Sequence, residues 1–300
     1  MARRSRISPG VGQHGTVLPH PGSLRYTRGH SRLPYLLLTP LIVVLLAFVV
    51  WPIAVLVVES LKTGGNSYVS VFTDPTRARV LGTTLWQSAV SAVLTLLLGL
   101  LIAWTLRITK RKWLKILLWA AIIVPMWMSV VVKNYAWTMI LGRQGPINGL
   151  LGMLGLPQVD MLYTPFAVVI GMVYTLFPLA VMPTYLALTS IPENLIAAAK
   201  SLGARPWTVL GTVVFPMAKG TILVVAILMY VLTAGFYVTP IILGGSRSTF
   251  ISRLVQDDIF LRFDTASAAA TSVIILLVAV GLIFAAVLAV GRKRFEEALG

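Results

Sequence analysis

The sequence predicts an all-α integral membrane protein with six transmembrane helices, and three observations carry that expectation. Of 300 residues, 57% are hydrophobic and only 11% are charged, against about 25% charged in an ordinary soluble domain. Six long apolar runs contain no Asp, Glu, Lys or Arg. Each approaches or exceeds the ~20 residues a helix needs to cross ~30 Å of hydrocarbon. The basic residues between the runs are distributed unevenly, as they are when they fix topology in a membrane.

Taken in order, residues 1–33 form a basic, polar segment rich in Gly, Pro and Ser, expected as a disordered tail. His14, His20 and His30 lie here at irregular spacing, which is no metal-ligand pattern. The first run, Pro34–Val58, is too long and too far from the N-terminus for a cleaved signal, and reads as an uncleaved anchor. The others are Val80–Leu106, Ile116–Val132, Tyr163–Thr189, Thr221–Gly244 and Ala266–Val290. Residues 133–162 read as a long external connection, whose apolar stretch Leu150–Leu156 is too short to span and suits a re-entrant or interfacial turn.

The tail, the Arg107–Lys115 loop, the Glu193–Lys219 loop and the C-terminus share one side and hold 17 Lys and Arg, against 8 on the other. The excess places both termini in the cytoplasm. It also accounts for the net charge of +16 without a nucleic-acid partner. There are no cysteines, hence no disulfide, thiolate metal site or cysteine nucleophile.

The loop between the fourth and fifth runs is the most informative segment. Pro192 and Glu193 suit a helix start. Leu195, Ala198, Ala199 and Leu202 recur at helical spacing, and Gly203 stands where a C-terminal cap is expected. Arg205-Pro206 makes a corner, followed by a second short helix, about Trp207–Val214, ending at Phe215-Pro216. The small alanine face permits close approach to a groove on another protein. An amphipathic loop lying on the membrane surface fits the same periodicity.

Ala197-Ala198-Ala199, three residues, Gly203, nine residues and Val213-Val214-Phe215-Pro216 resemble the cytoplasmic motif of bacterial ABC importer permeases, Glu-Ala-Ala-x3-Gly-x9-Ile-x-Leu-Pro. Ala197 stands for the Glu, Val213 for the Ile and Phe215 for the Leu, so no role of that Glu carries over. Thr83–Ser88, Lys133–Trp137, Leu141–Gly145, Leu162–Pro165 and Gly235–Pro240 extend the resemblance over about residues 75–291, toward the spermidine/putrescine branch. Related permeases for iron, sulfate or phosphonate share much of the pattern. The resemblance implies a type-1 importer permease fold in the bacterial inner membrane. It also implies a cytoplasmic ABC ATPase dimer, a second permease subunit and an external solute-binding protein as partners. Ala198, Ala199 and Gly203 would lie at the ATPase contact.

No Gly-x4-Gly-Lys-Ser/Thr loop is present, so ATP and Mg would bind the partner ATPase, and no cofactor is expected in this chain. No catalytic constellation is found. The runs hold no carboxylate, histidine or lysine, which disfavours a proton-coupled carrier. A sodium-coupled carrier acting alone and a purely structural membrane subunit remain as alternatives.

Candidates for the solute path are Tyr135, Trp137, Tyr174, Tyr237, Thr239 and Asp257. Aromatic faces can attract a cation, although aromatics at span ends are commonly interfacial anchors. Asp257 and Asp258, between Arg253 and Arg262, also fit solvated ion pairs. The expected layout is a tail (1–33), a first helix with its external loop (34–74), a permease domain (75–291) and a short tail (292–300).

Overall fold

A computed structural model describes residues 33–245 and 248–290. The N-terminal segment with its histidines, Arg247 and the tail after residue 290 lie outside them. Among the described residues every regular element is helical. Five helices are long and apolar enough to cross a membrane, and a bent pair makes a sixth span when counted as one.

The chain divides into two compact units at Trp51/Pro52. Helix α1 (Leu33–Leu61) belongs to the first unit as far as Trp51. In that part Phe48 and Trp51 are more than 70% exposed.

The second unit is built around α3 (Pro75–Ile108) and α7 (Pro165–Thr189). At 34 residues, α3 is ~50 Å long and begins on an Asp74 cap whose carboxylate accepts from the Thr76 N–H at 2.7 Å. The short α2 (Asn66–Thr73) precedes it. A Cβ on Gly99 would come within 2.8 Å of the Ala180 Cβ. The absent side chain is what lets α3 and α7 lie against each other, as small residues do between membrane helices.

The third span differs from the single apolar run expected over Ile116–Val132. Helices α4 (Lys112–Trp127) and α5 (Val130–Leu141) meet at Met128-Ser129, and the chain turns there by 112°. Pro125 in the last turn of α4 removes a backbone donor. Lys133, expected in an external loop, is instead buried in the first turn of α5, with Nζ donating to the Pro125 carbonyl at 3.2 Å. A cation thus sits on the carbonyl end of α4, where the helix dipole favours it. The connection over 133–162 is therefore mostly helical, comprising the rest of α5 and α6 (Pro146–Met153).

The fifth span also departs from expectation. After α8 (Glu193–Ser201), the segment Pro206–Val209 (α9) leads through a π-helical turn, Leu210–Val214, straight into α10 (Phe215–Ala234). Phe215-Pro216 therefore does not end a helix. The Phe215 N–H bonds to the Leu210 carbonyl five residues back, and this wider turn accommodates the missing donor of Pro216. At its other end α10 stops at Ala234, short of the expected Gly244, and a separate π turn covers Pro240–Gly244. Helices α11 (Ile251–Phe260) and α12 (Thr265–Val290) complete the fold.

Candidate functional site

Helix α8 lies between the ends of α7 and α10 and has no buried residue. Leu195, Ala198 and Leu202 are exposed, Leu202 at 89%. They fall three and four residues apart and so share one face, an apolar stripe with no partner among the described residues. The other side is anchored, with Ile196 and Ala199 packing on a core of Leu106, Val181, Leu188 and Val214. Ala197 and Gly203 are exposed, Val213 is half-buried, and Phe215 and Pro216 are exposed beyond it.

The end of α8 explains Gly203. Its φ is +81°. The Ala204 N–H reaches the Ala199 carbonyl at 3.1 Å and the Gly203 N–H reaches the Lys200 carbonyl at 2.9 Å. This paired closure needs a left-handed residue at Gly203. Nothing lies within 4 Å of where its Cβ would be, so the requirement is one of backbone conformation alone.

Sequence reasoning missed Arg107. The last basic residue of α3, it donates Nη1 to the Leu188 carbonyl and Nη2 to the Ile191 carbonyl, the latter at 2.8 Å. It thereby closes the C-terminal end of α7 immediately before α8 begins. Free carbonyls at a helix end attract a cation, but nothing in the local spacing pairs residue 107 with residues 188 and 191.

The proposed path residues separate into groups. Trp137 and Tyr174 meet edge to face, with ring centroids 5.6 Å apart, and line an apolar cavity of about 390 Å³ with Leu94, Leu98 and Phe177. Tyr135 is exposed and is not part of that cavity. Thr239 is fully buried, its hydroxyl accepting from Asn134 Nδ2 at 3.0 Å. Tyr237 and Asp257 share a third location, a cavity of about 460 Å³ at the end of α10 remote from α8.

Asp258 is not a solvated pair. It is fully buried and takes both Nη atoms of Arg77, at 2.7 and 2.9 Å, and Nη1 of Arg262 at 2.9 Å. Arg253 turns away, to the Gly245 carbonyl.

Residues 95–294 match the family described as binding-protein-dependent transport system inner membrane component. The chain is 27% identical over 255 residues to the spermidine/putrescine transport system permease protein PotB of Salmonella typhimurium (strain SL1344), covering 79% of this chain and 88% of that protein. It is 31% identical over 163 residues to the molybdenum transport system permease protein ModB of Azotobacter vinelandii, covering 54% and 71%. Its fold superposes with a TM-score of 0.74 on a crystal structure of a bacterial ABC transporter involved in the import of the acidic polysaccharide alginate. That match is at 20% identity and covers 86% of this chain and 94% of the other.

Proposed function

Because this chain belongs to the family of binding-protein-dependent transport system inner membrane components, we propose that it is the permease subunit of an ATP-driven importer whose solute is a polyamine. The observation that carries the reading is the exposed stripe Leu195, Ala198 and Leu202 on α8, anchored from behind by Ile196 and Ala199. A subunit that pushes on this stripe moves the core where α3, α7 and α10 meet. The partner that fits is a cytoplasmic ATPase pair, which puts α8 and both termini on the cytoplasmic side, as the distribution of basic residues also requires.

A second permease subunit would complete the path, and an external binding protein would deliver the solute. Two relatives support the polyamine assignment, the spermidine/putrescine permease proteins PotB of Salmonella typhimurium (strain SL1344) and Escherichia coli (strain K12), at 27 and 28% identity. The alginate transporter, solved also with a periplasmic protein that holds an alginate pentasaccharide, supports the mode of delivery but not the solute. Ala197, Ala198 and Gly203 form the ATPase contact, whereas Ala199, also expected there, packs on the core behind it; Val213, Phe215 and Pro216 carry the motion into α10. ATP and Mg bind the ATPase, and this chain supplies no catalytic group.

Labelled spermidine uptake in cells with and without this chain tests the reading. Uptake depends on the chain, stops when ATP is depleted and survives collapse of ion gradients. Uptake that follows an ion gradient and ignores ATP would instead assign a stand-alone carrier.

A further inference from the structure

Helix α11 carries two consecutive carboxylates with opposite electrostatic fates. Asp258 is fully buried and neutralised by Arg77 and Arg262. Asp257, about 100° away around the helix, is half-buried and faces the 460 Å³ cavity. Among the described residues its carboxylate has no ion-pair or hydrogen-bond partner. Arg253 stands one turn earlier, at the spacing that favours a helical ion pair. Its guanidinium is directed to the Gly245 carbonyl at 3.4 Å, and no bridge to Asp257 forms.

The rest of the lining suits the same ligand. Tyr237 and Phe260 contribute aromatic surface, Phe260 at 67% exposure. The Tyr237 hydroxyl is hydrogen-bonded to the Gln256 side-chain carbonyl, which links α11 to the chain just beyond α10. Tyr237 also lines a neighbouring cavity of about 370 Å³ that runs between α10, α11 and α12. An unpaired carboxylate beside two aromatic rings, in a cavity of the size small-molecule sites have, favours an alkylammonium group. The carboxylate supplies the counter-charge, and the rings attract the ammonium and its flanking methylenes.

We infer that this cavity receives one ammonium end of a cationic solute, with Asp257 as its counter-ion and Tyr237 and Phe260 as its walls. The inference rests on the polyamine reading above. The positive charge of Arg253 at the same cavity opposes a second ammonium there, so one end of the solute is held and the rest lies outside.

The test uses the complete importer in proteoliposomes, with spermidine-loaded binding protein outside and ATP inside. Asp257→Asn keeps the side-chain shape and removes the charge, and the half-saturating concentration of loaded binding protein rises about tenfold. Asp257→Glu restores it to within about threefold of wild type. Docking of the solute-free binding protein is measured alongside. If Asp257→Asn weakens that docking equally, the residue is a protein contact and the inference is overturned. Wild-type uptake of spermidine with undiminished uptake by Asp257→Asn overturns the cavity assignment alone. A wild-type complex that imports no spermidine overturns the polyamine reading, and the inference with it.

Discussion

Arg77 and Asp258, 181 residues apart, form a buried two-pronged ion pair at 2.7 and 2.9 Å that ties the first turn of α3 to α11. A fully buried carboxylate needs such partners, because an unpaired charge in a low-dielectric interior is strongly unfavourable. Arg262 adds a third bond from the surface side, and its own side chain is 53% exposed. Asp258→Ala, which strands Arg77, lowers stability by about 3–5 kcal/mol, whereas Arg262→Ala costs about 1 kcal/mol or less. Thermal unfolding of the two purified variants in detergent checks the contrast, and equal shifts would remove the special place given to Arg77.

Arg107 joins the end of α3 to the end of α7 just before α8. If α8 receives the thrust of an ATPase, this clamp keeps the two long helices moving together. Arg107→Gln, which loses charged bonds worth about 1.5–3 kcal/mol each, raises the number of ATP molecules hydrolysed per solute several-fold. Arg107→Lys, able to reach one carbonyl, falls between. The ratio measured in proteoliposomes decides, and an unchanged ratio in Arg107→Gln makes the clamp a matter of stability only.

Gly203 holds a φ of +81° with open space around its missing Cβ. Gly203→Ala should cost about 1–2 kcal/mol of local backbone strain and reduce uptake partially. Gly203→Asp adds a charge on the exposed docking face and abolishes uptake while membrane insertion stays intact. Uptake beside the amount of chain in the membrane separates these effects. Normal uptake by Gly203→Asp would sink the role given to this segment.

Gly99 and Ala180 set the distance between α3 and α7, since a Cβ at 99 would lie 2.8 Å from the Ala180 Cβ. Gly99→Val overpacks that contact and costs about 1–3 kcal/mol. Adding Ala180→Gly recovers part of the loss. A double variant no more stable than Gly99→Val in a detergent melt would place the strain elsewhere.

Much of the fold was legible in the sequence because hydropathy reports the lipid environment one residue at a time. The long runs around α1, α3, α7 and α12 are examples, and the place of Gly203 followed from its spacing after Leu195, Ala198 and Ala199. Interruptions were harder to read. Met128-Ser129 carries no strong break signal, and the bend there depends on Pro125 and on Lys133 reaching back to its carbonyl. Phe215-Pro216 read as a stop because a proline usually ends a helix, and the π turn that accommodates it has no composition of its own. Pairings such as Arg77 with Asp258 or Arg107 with Ile191 were out of reach, because periodicity carries no information across such separations. For the same reason the solvated reading of Asp258 failed while Asp257, its neighbour, remained open to the cavity.

We propose that α8 docks an ATPase in a multi-subunit importer. The most direct test is quantitative mass spectrometry of what co-purifies with this chain from its native membrane in mild detergent. Two copies of an ABC ATPase and a second permease subunit are expected for each importer, with the ATPase lost in Gly203→Asp. A chain that emerges alone, and that still transports after reconstitution without ATP, would contradict the proposal.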